Sequence, residues 1–186
     1  MNIDAEFTLW LAGIRSPALD AFMLLVTSLV SYFVIFFFLL LLLTAGRRKL
    51  VIALLVGLAL DFAISGGLKL LLMRPRPYEV LPVGSIAEDF SSFPSSHASR
   101  SFVIAGILSR NYRKIRLFLY AGACLIAFSR VYLGVHYLSD VLFGSAVGIL
   151  ISVAVLRLGV LRRLVDRLDA LVRHKRPGRA KKRARI

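Results

Sequence analysis

The uninterrupted run Phe36-Phe37-Phe38-Leu39-Leu40-Leu41-Leu42-Leu43 constrains this chain more than any other feature. Eight large apolar residues in succession cannot lie on a water-facing surface, so they belong in a core or in lipid. Composition decides for lipid. Of 186 residues, 58% are of the AVILMFWYC set and 19% are charged, with a mean hydropathy of +0.77. These values exclude a soluble globule and a disordered chain. The single cysteine, Cys124, excludes a disulfide framework and a cysteine zinc cluster.

Stretches close to the ~20 residues that cross a bilayer fall at 19–45, 50–72, 98–110, 117–133 and 137–160. The third is short and carries Arg100 near its start. Ahead of them, Ile3 to Ile14 is apolar on one side with Asp4 and Glu6 on the other. It is too short to span, and the spacing predicts an interfacial helix, cut off by Ser16-Pro17. It has neither a basic n-region nor a small-residue cleavage site, so it does not read as a removable signal peptide. The expected fold is an all-α integral-membrane bundle of about five transmembrane helices behind an N-terminal interfacial helix. Residues 1–160 form the membrane-embedded domain and 161–186 a basic tail.

The net charge of +15 first suggests a nucleic-acid partner, but the placement of the charges speaks against it. Nineteen of the 25 basic residues lie at 47–49, at 110–116 and from Arg157 onward, and a five-span threading puts them all on one side. The positive-inside rule makes that side cytoplasmic. The protein is then a multi-pass protein of the cell membrane, with its opposite face outside or in the periplasm. The tail lacks aromatic interleaving and reads as a topology anchor drawn to anionic lipids. Arg15, Lys69, Arg74, Arg76, Arg100 and Arg130 remain, and the topology rule does not account for them.

Three clusters meet the outer face. Lys69 precedes Arg74-Pro75-Arg76-Pro77, where the prolines stop the helix and leave two arginines at the mouth of the bundle. A lone lysine there would read as snorkelling; with the two arginines it reads as part of an anion site. In Phe93-Pro94-Ser95-Ser96-His97, Ser95 or Ser96 can cap the next helix, whose free N–H groups favour an anion beside His97. In Ser129-Arg130 through His136 to Asp140, the histidine and aspartate share a helical face, so the carboxylate can hold one ring nitrogen and leave the other nucleophilic. Ionisable groups at membrane depth are functional candidates. The inventory is rich in cations and lacks a carboxylate cluster for a divalent metal. It suits metal-free, cofactor-free phosphoryl transfer. Asp61, two turns before Lys69, reads as a counter-ion or packing polar group.

Together, Lys69-x6-Arg76-Pro77, Pro94-Ser95-Ser96-His97 and Ser129-Arg130-x5-His136-x3-Asp140 resemble the three-part signature of the type 2 phosphatidic acid phosphatase superfamily, over roughly residues 60–150. The resemblance implies that His136 is the nucleophile that becomes phosphohistidine, oriented by Asp140. It implies that His97 is the general acid, and later the base that activates water. Lys69, Arg76, Arg130, Ser95 and Ser96 would bind the phosphate, with Arg74 as a possible accessory group for a second phosphate or headgroup. The family usually has Gly where this chain has Ser96. The stretch from Phe7 to Met23 is similar to the start of short bacterial members acting on undecaprenyl diphosphate. That makes an isoprenyl diphosphate the expected substrate, with phosphatidylglycerophosphate and phosphatidic acid as alternatives. A lipid phosphotransferase would use the same residues, and a non-enzymatic scaffold would be expected to have lost some of them.

Overall fold

The computed structural model describes residues 3–84 and 91–157, and every regular element among them is helical. The apolar run that opens the bundle does not cross as one rod. After α1 (Ile3–Gly13), the expected span 19–45 divides into α2 (Pro17–Ser28) and α3 (Tyr32–Thr44), which meet at 48°. No proline or glycine forces the break. It is held by partners for the backbone groups it frees, which an apolar environment cannot leave unpaired. The Ser31 side chain accepts from the Val34 amide at 3.4 Å, and Arg100 Nη1 donates to the Val30 carbonyl at 2.9 Å.

α4 (Arg48–Leu72) matches the second span and ends where Met73 turns left-handed, at φ 43°. Pro75 and Pro77 prevent its continuation, and the single turn α5 (Pro77–Val80) follows. α6 (Ser96–Asn111), a 3₁₀ turn (Arg113–Ile115), α7 (Arg116–Tyr132) and α8 (Leu138–Arg157) complete the described chain. By length and apolarity, segments 48–80, 113–132 and 138–157 can each cross a membrane, and the bent α2–α3 pair makes a fourth.

The third expected span corresponds to α6, which at 16 residues and with Ser99, Arg100, Ser101 and Ser109 is shorter and more polar than the helices long and apolar enough to cross a membrane. It can be this polar because α4, α7 and α8 pack around it and shield it from lipid. Close approach depends on glycine. A Cβ at Gly144 would stand 2.6 Å from the Ser95 carbonyl oxygen, and one at Gly148 would overlap that of Ser99. Such small-residue contacts let membrane helices gain van der Waals packing where no hydrophobic drive separates protein from lipid.

Leu54, Val103, Ile107, Ile151 and Val155 fill one end of the bundle, and Leu11, Met23, Ala98, Val131 and Val135 the other. Phe33, Phe37, Leu41, Phe62, Leu71 and Phe118 point outward. α1 packs against α7 and α8, burying Leu11 while Ile3 and Trp10 face out. Its corner with α2 is tied to α7, since the Tyr132 hydroxyl donates to Asp20 at 2.9 Å and Asp20 pairs with Arg15. The expected tail, 161–186, and the last residues of the fifth span lie outside the described residues.

Candidate active site

The end of α4, the start of α6 and the α7–α8 turn meet at one end of the bundle, so residues up to 71 positions apart in sequence (69 to 140) converge there. Lys69, 5% exposed at the last turn of α4, donates to the Ser91 carbonyl at 2.8 Å. Arg76 is fully buried. Its Nη2 donates to the same carbonyl at 3.1 Å, its Nη1 to the Val135 carbonyl at 2.8 Å, and Nη1 stands 3.5 Å from His136 Nε2. The exit loop thus carries its guanidinium back over the turn that presents the histidine.

That turn is built by α7. Gly134 adopts φ 68°, and the Val135 and His136 amides both donate to the Arg130 carbonyl at 3.2 Å. The Arg130 side chain, also buried, donates through Nη1 to Thr27 at 2.8 Å. His136 therefore lies between two arginines. Burial pushes its imidazole down to about 4, opposed by Asp140 and reinforced by Arg130 and Arg76. At neutral pH the ring is uncharged, so Nε2 can present its lone pair once the proton resides on Nδ1.

Asp140 is fully buried, with Oδ2 3.7 Å from His136 Nδ1. Oδ2 accepts from the Tyr137 amide at 2.9 Å and from the Ser92 hydroxyl. The other oxygen pairs with Arg74. Arg74, expected as a possible accessory group for a second phosphate or headgroup, lies against this carboxylate. Its guanidinium lies over the Tyr137 ring, 4.1 Å from the centroid, and is held by Asp140, by Ser139 at 2.8 Å and by Asp4 at 3.0 Å. Asp4 also accepts from the Ser139 amide at 3.0 Å. Burial would raise the Asp4 carboxyl, but hydrogen bonds from Ser139 and Arg74 outweigh it and hold the group below its ordinary value.

Ser95 is the N-cap of α6. Its side chain accepts from the Ala98 amide at 3.5 Å, and its own amide donates to the Asp140 carbonyl at 3.1 Å. Ser96 takes the first helical position. Among the described non-glycine residues only Met73 has positive φ, so serine in place of the family's glycine costs no backbone strain. His97 follows in the first turn. Ser96, His97, Lys69 and His136 line one cavity of about 770 Å³ together with Arg100 and apolar parts of α3 and α4. Asp61 lies outside it as a packing polar group, accepting from Ser65 at 3.1 Å and from Ser99.

Four contributors were not singled out from sequence. Ser91 orients both cations, Ser92 holds Asp140, Thr27 receives Arg130, and Asp4 anchors Arg74. Ser91 and Ser92 stand just before the second cluster, so proximity was their only signal. For Asp4 and Thr27, far away in sequence, there was none.

A family model described as the PAP2 superfamily matches residues 50–163. The lipid A 4'-phosphatase of Bacteroides thetaiotaomicron is 30% identical over 165 residues, covering 79% of this chain and 72% of that protein. The crystal structure of Aquifex aeolicus LpxE superposes with a TM-score of 0.78 at 30% identity, covering 84% of this chain and 96% of that one. A PAP2-type phosphatidylglycerolphosphate phosphatase from Bacillus subtilis superposes at 0.68 with 27% identity, covering 82% of each chain.

Proposed function

The chain belongs to the PAP2 superfamily of membrane phosphatases, and from that premise we propose that it hydrolyses a lipid-borne phosphate through a phosphohistidine on His136. The observation that carries this reading is the buried His136, with Nε2 beside Arg76 and Nδ1 facing Asp140, in a cavity shared with His97 and Lys69. His136 Nε2 attacks phosphorus, the bond to the lipid oxygen breaks, and His97 supplies the proton that oxygen takes up. His97 then removes a proton from water, which attacks phosphorus and releases phosphate and free His136. Lys69, Arg76 and Arg130, with Ser95 and Ser96 at the start of α6, spread positive charge over the phosphate oxygens where negative charge grows.

The names of the similar proteins point to phosphorylated headgroups of lipid A and phosphatidylglycerol. A second reading, an isoprenyl diphosphate, is favoured by the N-terminal stretch. Its Leu11 and Met23, with Phe7 and Leu19, pack in one cluster with Val131, Tyr132 and Val135 of the His136 turn. The active site faces outward, because the basic 47–49 and 110–116 segments lie at the other ends of α4 and α6.

The test is phosphate release from lipid A, phosphatidylglycerophosphate, phosphatidic acid and undecaprenyl diphosphate, in detergent, with and without excess EDTA. Turnover of at least one lipid that persists in EDTA and is blocked by vanadate is expected. Loss in EDTA restored by Mg²⁺ overturns the metal-free mechanism, and no release from any lipid overturns the function.

A further inference from the structure

α1 turns two unlike faces to its surroundings. Toward the bundle lie Thr8 and Leu11, both buried, and Asp4. Asp4 accepts from the amide and the hydroxyl of Ser139 and pairs with Arg74, whose other terminal nitrogen meets Asp140. Away from the bundle lie Ile3, 79% exposed, Trp10, 60% exposed, and Ile14 just past the helix end. They follow one another by seven and four residues, so they form a stripe along one side.

The position of α1 says what covers that stripe. Asp4 reaches Ser139 at the start of α8, so α1 lies at the end of the bundle that carries the site. The end of a membrane-spanning bundle meets lipid headgroups, the layer in which tryptophan concentrates. Glu6 is exposed near the stripe, a mixture suited to headgroups and not to hydrocarbon or a dry protein interface. Ile3 is the chain neighbour of Asp4, so whatever seats Ile3 also fixes Asp4. The consequence reaches His136. Its Nδ1 stands 3.7 Å from Asp140 Oδ2, beyond a normal hydrogen bond, and Arg74 holds the other oxygen of that carboxylate. A small displacement of Arg74 therefore decides whether Asp140 closes on the ring.

We propose that α1 seats on the lipid headgroup boundary through Ile3, Trp10 and Ile14 and, by holding Asp4 against Arg74 and Ser139, sets the Asp140 carboxylate for His136. The inference rests on the reading of His136 as the nucleophile. It deepens that reading, because the surface that presents the substrate also completes the geometry that attacks it.

Trp10 is the single tryptophan of the chain, so its fluorescence reports on α1 alone. With the full chain in phosphatidylcholine nanodiscs, lipid brominated near the headgroup should quench Trp10 strongly, and lipid brominated at the chain ends much less. Ile3→Asn/Ile14→Asn, at two exposed positions, should weaken the quenching. Vanadate, as a transition-state mimic, and inorganic phosphate are then titrated calorimetrically into the same nanodiscs. The asparagine pair should bind vanadate about tenfold more weakly, the scale of one charge-assisted hydrogen bond. Phosphate should stay within about threefold of the wild type, a split that general loss of structure would not give. Asp4→Asn should show the same split, and the triple variant no further loss, because both changes remove one interaction. Wild-type Trp10 that headgroup bromines leave unquenched overturns the proposal, as when a second copy of the chain covers this face. So does an asparagine pair that binds vanadate like the wild type, or losses that add in the triple variant. The expected vanadate losses without phosphate release from any lipid support the coupling and overturn the hydrolytic function instead.

Discussion

At the scale of single residues, the two histidines lie at the same cavity but face different demands. His136 is buried between arginines and kept neutral, as the nucleophile proposed for it would have to be. His97 stands in the first turn of α6, where a leaving oxygen can reach it. Replacing each should therefore fail differently. His136→Ala should abolish the covalent intermediate and nearly all turnover. His97→Ala should slow departure by about 10²–10⁴-fold and recover in part with nitrophenyl phosphate, whose leaving group needs no proton. Equal recovery of both would reverse the roles. The same burial has a cost in acid. The unfolded chain takes up a proton near 6.5 that folded His136 refuses until about 4, so stability should fall as pH drops through that window. His136→Gln should lessen that part of a denaturation-versus-pH curve without flattening it, because burial pushes the His97 imidazole down as well, and an unchanged slope would place the titrating group elsewhere. Asp4 acts one step back, holding Arg74 against Asp140. Asp4→Asn should lower kcat about tenfold, the scale of one charge-assisted hydrogen bond, with KM nearly unchanged. A KM effect alone would make Asp4 a substrate contact.

At the scale of elements, α6 shows both what was legible in the sequence and what was not. His97 was legible because a histidine following Pro94-Ser95-Ser96 at the start of a helix has few structural reasons to be there. The depth of α6 was not legible. Local hydropathy reads only the sixteen residues of α6 itself, whereas its enclosure depends on Gly144 and Gly148 on a helix more than thirty positions away. The bend between α2 and α3 was hidden for a related reason, because Arg100, not a local breaker, completes it. The partner of Arg74 was hidden because Asp4 lies 70 residues earlier. Motifs report short-range chemistry, while partners across helices follow from packing. The α6–α8 contact is directly testable. Gly148→Leu should destabilise the protein by about 1–3 kcal/mol or more through overpacking. Gly122→Leu, where an added Cβ meets nothing within 4 Å, should leave the detergent melting temperature nearly unchanged. Equal melting of the two variants would mean that α6 and α8 do not approach this closely in solution.

At the scale of the whole molecule, the distribution of charge and the position of the cavity give one answer about sidedness. Arg47, Arg48 and Lys49 open α4, and Arg110, Arg113, Lys114 and Arg116 surround the α6–α7 turn. Lys69, Arg76 and His97 stand at the opposite ends of the same helices. On α4, Lys69 stands 21 residues beyond Arg48, about 32 Å at 1.5 Å per residue, the thickness of the hydrocarbon core. With the basic loops retained in the cytoplasm, phosphate would be removed at the outer headgroup boundary and the lipid product left in that leaflet. Exposed Cys124 must first be replaced by serine. A cysteine then introduced at exposed Glu79, in the α5 turn beside the site, should react with an impermeant maleimide in intact cells or spheroplasts. One at exposed Lys114 should react only after permeabilisation. The opposite pattern would put the cavity on the cytoplasmic side. It would then remove the case for a substrate released on the outer leaflet and favour a phospholipid made inside.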